Sequence, residues 1–389
     1  MLLALMSFAM PLAFSAWVAL LNNFVHNEGG FNGSDLGWLQ TVREIPGFLS
    51  FLVVFVIIFI KEQRIALYSL FLLGGWVAVV GYFPSFWGLL LTTFLNSIGF
   101  HYYETVKQSL ELQWLPKDRA PILLGWLIAI GSGASLIVYL LIILLWELMG
   151  WDYTEIYMIF GGLTVLITAY CWFAFPIFKQ PVAQRTEIVL KTRYWLYYAL
   201  QFMSGARRQI FVVFAAFMMV EKFDFDVHEV TALFLINFLA NMIFAPIMGR
   251  VVQYFGERAA LCFEYAGLFG VFVLYAGIYI FDWGVWFAAT LYVVDHLFFA
   301  LALGIKTYFQ KIADPEDIAP TAAVAFTINH IGAVFLPASL GYLWIVNPQG
   351  VFWFAAALAA MSFALSSLIP RHPDKGNETV LKPKLQPAE

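Results

Sequence analysis

Adjacent pairs of ionisable residues occur in the middle of two long apolar stretches of this sequence. Arg207 and Arg208 lie in "QFMSGARRQIF", and Asp295 and His296 lie in "VVDHLFF". A charge inside a stretch long enough to span a bilayer is costly, so it indicates a functional role. The planar guanidinium group suits a carboxylate or a phosphate, which predicts that the arginines bind substrate. A buried carboxylate or imidazole can titrate near neutral pH, which predicts proton coupling; the alternative is that Asp295 neutralises an arginine.

The stretch "FHYYETVKQSL", residues 100–110, places four more such side chains in another apolar segment. Glu104 and Lys107 are three residues apart, so they face the same side of a helix and can pair. We predict that Tyr103 and Lys107 contact substrate and that His101 and Glu104 take part in proton coupling. A Lys107 stem that extends to the membrane interface is the alternative.

Further polar candidates lie in other apolar segments. Those for substrate binding are Lys306, Asn237 and Asn241, and the one for proton coupling is His330. Amides within a membrane more commonly join helices to one another. Arg43 and Glu44 are adjacent near the start of a segment, which predicts an external gate or, alternatively, a substrate contact.

Composition decides what kind of element carries these residues. The chain has 389 residues, of which 62% are hydrophobic and 12% are charged, and its mean hydropathy is +0.81. Ordinary soluble domains are about half apolar and a quarter charged. Repeated apolar runs of about 20 residues therefore predict an all-α polytopic membrane protein with twelve transmembrane helices. The predicted spans are 1–25, 38–60, 65–82, 85–110, 121–148, 154–177, 194–220, 230–250, 259–280, 285–309, 321–345 and 350–369.

The distribution of positive charge predicts the orientation in the membrane. Among the loops on one side the only lysine or arginine is Lys222, whereas the opposite loops and the C-terminal tail are rich in both. The positive-inside rule then places both termini in the cytoplasm. We expect the protein in the cytoplasmic (inner) membrane of a bacterium.

An internal repeat divides the chain in two. The segment "KQSLELQWLPKDRAP", which begins at Lys107, aligns without gaps with "KTYFQKIADPEDIAP", which begins at Lys306. The first lysine, one aspartate and both prolines coincide, which predicts two pseudo-symmetric six-helix bundles. Duplicated bundles of this kind are a transporter architecture, with the substrate site between the halves. The predicted domains are an N-terminal bundle, 1–178; a cytoplasmic central linker, 179–193; a C-terminal bundle, 194–370; and a cytoplasmic tail, 371–389.

The sequence resembles the major facilitator superfamily in its helix number, its repeat and one motif. The segment "GRVVQYFGERAAL", 249–261, resembles the signature loop of that family, G-x-x-x-D-[RK]-x-G-[RK]-[RK]. Gly249, Gly256 and Arg258 fit the pattern, whereas Gln253 replaces its acid. The resemblance implies the twelve-helix fold of the family and a gating role for the three matching residues.

These observations predict a secondary transporter that works by alternating access, and not an enzyme. Embedded cations outnumber embedded acids in the central helices, which favours a small anionic organic solute, with protons as the coupling ion. The sequence contains no P-loop motif, so ATP is not expected to drive transport directly. We expect a monomer in the lipid bilayer that uses no cofactor or metal and binds no nucleic acid. A drug or lipid exporter with a hydrophobic cavity is the first alternative, and a membrane-embedded enzyme that uses His101, His296 or His330 is the second.

Overall fold

The computed structural model describes residues 1–30, 33–179, 182, 184–225 and 227–381, and most of them are helical. Among these described residues, ten helical segments are long and apolar enough to cross a membrane. They correspond to ten of the twelve predicted spans, and they make the chain an integral membrane protein.

The two remaining predicted spans, 38–60 and 85–110, are also helical, but neither is a continuous and strongly apolar helix. The first consists of a helix, Gly33–Phe48, a 3-10 turn at Leu49–Leu52 and a further short helix. The second is a single helix of 29 residues whose polar side chains, such as His101, lower its hydropathy. The polar residues that make the second segment a candidate for function therefore also distinguish it from the purely apolar spans.

The chain divides into two compact units. Unit 1 comprises residues 1–114, 127–188 and 319–327, and unit 2 comprises residues 115–126, 189–318 and the chain from Ile328 onward. Along the chain, the segment 127–188 of unit 1 is followed directly by the segment 189–318 of unit 2, so this boundary lies inside the predicted linker 179–193. The predicted domain boundaries themselves stay a prediction. Linker residues 180, 181 and 183 and the end of the predicted tail, 382–389, lie outside the described residues.

Unit 1 is built mainly from the first seven helices, which pack around buried aromatic side chains. Trp17 and Phe24 of the first helix and Tyr157 and Phe160 of the seventh are at most 1% exposed. The ring of Phe24 meets that of Tyr157 edge-on, with 5.5 Å between the centroids, an arrangement that aromatic pairs favour. The helices are α1 (Leu2–Asn27), α2 (Gly33–Phe48), α3 (Val53–Ile57), α4 (Glu62–Val79), α5 (Phe86–Trp114), α6 (Ala120–Met149) and α7 (Tyr153–Ala174).

Two glycines bring α4 and α7 into backbone contact. A Cβ atom on Gly161 would lie 2.3 Å from the backbone nitrogen of Ala78 and 2.5 Å from the carbonyl oxygen of Gly74. A Cβ atom on Gly74 would lie 2.8 Å from the carbonyl oxygen of Gly161. Helices in lipid associate largely through such close packing of small residues, so this glycine pair sets the distance between α4 and α7.

Gly161→Ala is expected to destabilise the protein by roughly 1–3 kcal/mol, because the added methyl group overlaps the backbone of α4. Gly162→Ala is the matched control, since a Cβ atom there meets nothing within 4 Å and alanine favours the helix. The measurement is the free energy of unfolding of both variants in the same detergent. Equal stability of the two variants would contradict the close contact.

Unit 2 is built mainly from eight further helices, joined in one place by a π-helix, Ile210–Ala215. The helices are α8 (Trp195–Gln209), α9 (Ala216–Phe223), α10 (Val227–Phe255), α11 (Glu257–Phe281), α12 (Val285–Phe299), α13 (Leu303–Ile312), α14 (Ile318–Val346) and α15 (Pro348–Ser367).

Ion pairs attach the C-terminal segment to the helices of unit 2. Oδ2 of Asp314, between α13 and α14, lies 3.3 Å from Nζ of Lys191 and 3.0 Å from Nη1 of Arg193. Its Oδ1 lies 2.6 Å from Nζ of Lys375, and Arg193 also lies 2.8 Å from the buried carboxylate of Glu378. Burial alone would raise the pKa of the Asp314 carboxyl, but hydrogen bonds from the two lysines and the charge of Arg193 hold it at about 2. The described part of the predicted tail is therefore held against unit 2 by charge.

Candidate functional site

The double arginine of unit 2 lies where a helix changes its hydrogen-bonding pattern. The α-helix α8 ends at Gln209 and the π-helix follows at Ile210–Ala215; π segments are rare and often occur at functional sites. Arg207 is 1% exposed, whereas Arg208 is partly buried. Adjacent residues on a helix point in different directions, so the two arginines have different surroundings.

Arg207 forms an ion pair in the interior of unit 2. Its Nη2 lies 2.9 Å from Oε1 of Glu264 on α11, and Glu264 has no exposed surface. The two groups are close enough for strong attraction, although their angles do not make a well-aligned hydrogen bond. The guanidinium carbon lies 4.4 Å from the ring centroid of Phe299 and 5.7 Å from that of Tyr265. Aromatic faces attract a cation, so these rings and Glu264 together hold Arg207 in place.

Asp295 adds a second acid to this site. It lies on α12 without exposed surface, and it interacts electrostatically with both Arg207 and Glu264. Its carboxylate oxygens are buried and form no hydrogen bond within the part of the chain that the structure describes. One cation and two acids carry a net charge of −1 when all are ionised, and an uncompensated buried charge is costly. One bound proton makes this buried cluster of Arg207, Glu264 and Asp295 neutral, so the cluster can take up and release a proton.

His296, next to Asp295 in the sequence, contacts a different helix. Its Nε2 lies 2.8 Å from Nδ2 of Asn241 on α10. The imidazole also packs against Phe211, with 5.7 Å between the ring centroids. His296 therefore joins α10 and α12.

The remaining candidates in unit 2 differ in burial. Asn237 and His330 are each 3% exposed, whereas Lys306 on α13 and Arg258 on α11 are partly buried. Of these, the two cations are the more accessible to a solute. Their predicted roles stay predictions.

The glycines of the signature-like motif lie near the end of α10, at Gly249, and between α10 and α11, at Gly256. A Cβ atom on Gly249 would lie 2.4 Å from the carbonyl oxygen of Pro121, and Gly256 has a φ of 83°, a conformation that favours glycine. Glu257, next in sequence, is 1% exposed and its Oε1 lies 2.6 Å from Nζ of Lys311. An acid next to the second glycine of the motif therefore pairs with the end of α13.

Unit 1 brings together three of the predicted residues on α5. Nζ of Lys107 lies 3.3 Å from Oε1 of Glu104, and the two side chains are 15% and 23% exposed. The same Nζ lies 5.6 Å from the ring centroid of Tyr103, which is completely buried. The i, i+3 spacing therefore produces the ion pair that it predicts, beside an aromatic ring.

His101 and the predicted external gate are connected through a serine. Nδ1 of His101 lies 2.9 Å from both the hydroxyl and the carbonyl oxygen of Ser97, and the Ser97 hydroxyl donates a short hydrogen bond to the carbonyl oxygen of Arg43. Nη2 of Arg43 lies 2.6 Å from Oε1 of Glu44. The adjacent pair at residues 43 and 44 is therefore a local ion pair, and Ser97 attaches its backbone to α5.

Glu264 is not among the residues that the sequence predicts for this site. The counter-ion predicted as an alternative for the arginines is Asp295, whereas the structure places Glu264 in the ion pair with Arg207. The available signal was an acid in an apolar span, since such a charge has to be neutralised. Its partner lies on another helix, and spacing along the sequence does not reveal that.

Comparisons with known proteins agree on the fold. The profile of the Major Facilitator Superfamily matches residues 197–388. The structure is similar to that of a bacterial homologue of the iron transporter ferroportin, with 10% identity and a TM-score of 0.75 over 94% of this chain and 97% of the other. It is also similar to the E. coli fucose:proton symporter (12% identity, TM-score 0.73, 94% and 97% covered) and to the human organic anion transporter MFSD10 (13%, 0.70, 94% and 98%). No curated protein matches the sequence significantly.

Proposed function

We propose that this chain, which belongs to the major facilitator superfamily, is a secondary transporter that carries a small anionic organic solute in a proton-coupled cycle. The matched structures are those of transporters, which supports transport over catalysis. Duplicated helix bundles of this kind work by alternating access. We assign the protein to the cytoplasmic membrane of a bacterium, with both termini inside, on the basis of its loop charges.

The observation that carries the proposal is the surplus acid of the buried cluster. The pair of Arg207 and Glu264 is neutral by itself and is framed by aromatic rings. Asp295 adds a charge that is costly to bury, and acids in such positions commonly carry protons in transporters. Loss of the proton leaves a net negative charge in the interior, which disfavours any conformation that keeps the cluster buried. Protonation thereby biases the conformational equilibrium.

The proposed anion contacts are the embedded cations that remain accessible. Arg207 is 1% exposed, so a solute has little access to it. Arg208 and Lys306 are partly buried in unit 2, and we assign these two to the solute. Arginine offers a planar pair of donors to a carboxylate or phosphate, and lysine offers a compact charge.

Flux of small organic anions through the reconstituted protein is expected to respond to an imposed pH gradient. The measurement is transport of labelled carboxylates and sugar phosphates in proteoliposomes, with gradients of both signs. Arg208→Ala should raise KM for the transported anion by about tenfold or more, since a hydrogen bond to a charged group is lost. Arg371→Ala, which removes an exposed arginine of the C-terminal segment, is the matched control and should behave as the wild type.

Two results would count against this function. Anion flux that ignores the pH gradient would contradict the proton coupling. If the protein transports neutral hydrophobic compounds and Arg208→Ala still does so, the protein is a drug or lipid exporter and not an anion transporter.

A further inference from the structure

A cavity of about 310 Å³ lies in unit 1 at the ends of α5 and α7. Its lining combines Lys61 and Lys179 with apolar side chains and the ring of Trp114. This volume is at the lower end of the range for small-molecule sites. The cavity therefore suits a ligand of the size of a lipid headgroup.

Hydrogen bonds fix the walls of this cavity. Nε2 of Gln63 donates to the carbonyl oxygen of Pro176 at 3.0 Å, and the backbone nitrogen of Phe178 donates to Oε1 of Gln63 at 2.9 Å. The ring of Phe178 meets that of Trp114 edge-on at 5.5 Å. Gln63 thus connects the start of α4 to the chain that follows α7, and the lysines at 61 and 179 flank this junction.

The charges that line the cavity leave it positive. Glu62 has no exposed surface, and it accepts hydrogen bonds from the hydroxyl of Ser109 and from Nε2 of Gln113, the latter at 2.9 and 3.1 Å. Lys61 and Lys179 are both exposed. Two lysines and one carboxylate give a net charge of +1, which matches a ligand with one negative charge.

A buried donor and exposed apolar side chains further specify the ligand. Nε1 of Trp114 is buried and has no hydrogen-bond partner among the residues that the structure describes, and an indole nitrogen can only donate. Ile177 and Phe178 line the cavity and are nevertheless 37% and 42% exposed. The site thus offers donors and positive charge to an anion and apolar surface beside it.

We propose that this cavity binds the phosphodiester headgroup of an anionic glycerophospholipid. A phosphodiester carries a single negative charge and accepts hydrogen bonds from ammonium and indole groups. The acyl chains then begin at the exposed side chains of Ile177 and Phe178. Basic pockets at helix ends on the side of the membrane that is rich in lysine and arginine are suited to acidic headgroups.

The test compares two lipids with equal acyl chains, phosphatidylglycerol and phosphatidylcholine, on delipidated protein by native mass spectrometry. The wild type should bind phosphatidylglycerol more tightly. The double variant Lys61→Gln/Lys179→Gln should weaken that affinity about fivefold per lysine, or roughly 25-fold in all, and leave phosphatidylcholine binding unchanged. Lys117→Gln/Arg119→Gln, which removes the same charge from exposed positions, should bind phosphatidylglycerol like the wild type.

Several outcomes would contradict the proposal of a lipid site in this cavity. Equal affinity of the wild type for the two lipids, or an equal loss in both double variants, would indicate diffuse surface charge only. Competition by soluble glycerol phosphate at the concentration of the lipid would show that the ligand is a soluble phosphate and not a lipid. If the first double variant does not fold, Trp114→Phe removes the indole donor but keeps an aromatic ring and should weaken phosphatidylglycerol binding several-fold; unchanged affinity would refute the proposal.

Discussion

Asp295→Asn is expected to abolish the response of transport to a pH gradient while exchange of solute across the membrane continues. Asparagine has nearly the shape of the protonated acid, so Arg207 and Glu264 then form a neutral pair without a bound proton. The conformational cycle then no longer requires a proton to neutralise the cluster. Flux driven by the gradient should fall to the level of empty liposomes.

The measurement separates two reactions of the same reconstituted variant. One is net flux under an imposed pH gradient, and the other is exchange of labelled for unlabelled solute without a gradient. Asp282→Asn is the control, because Asp282 is 89% exposed and paired with Lys222, and it should leave both reactions unchanged. A full response to the gradient in Asp295→Asn would show that another group carries the proton.

Arg207→Leu is expected to destabilise the protein by about 3–5 kcal/mol. The substitution leaves Glu264 and Asp295 buried without the guanidinium group. An uncompensated buried charge destabilises a protein far more than the replacement of both charged partners by apolar side chains. The double variant Arg207→Leu/Glu264→Leu should therefore recover much of the loss. The measurement is the free energy of unfolding of the wild type, both single variants and the double variant, which together give the coupling energy.

An exposed ion pair of unit 2 provides the control for this cycle. Nζ of Lys222 lies 2.7 Å from Oδ1 of Asp282, a shorter distance than in the buried pair. Lys222→Ala should nevertheless cost far less than Arg207→Leu, because solvent screens an exposed pair. A cost of Arg207→Leu as small as this would refute the structural role of the buried pair.

The twelve predicted segments are helical in the structure because the length and polarity of a span are local properties. A continuous run of about 20 apolar residues has to form a helix in lipid, where its backbone groups find no other partners. Segments 38–60 and 85–110 differ from the others for equally local reasons: a 3-10 turn at Leu49–Leu52 and the polar residues of α5. The pattern of apolar residues did not predict the π-helix at Ile210–Ala215.

Short spacing also determined some contacts of the candidate site. Glu104 and Lys107 pair because residues three apart share a face of any helix, and Arg43 pairs with its neighbour Glu44. Such pairs do not depend on how helices pack against one another. They could therefore be predicted from the sequence.

The sequence by itself determined that the chain spans a membrane, where its helices lie and which charges are costly enough to have a role. The tertiary structure decided which of those charges neutralise one another. The pairing of Arg207 with Glu264, with Asp295 as the surplus acid, depends on the packing of α8, α11 and α12. The cost of burying a charge follows from its residue type, but its neutralisation depends on distances between helices that residue spacing does not encode.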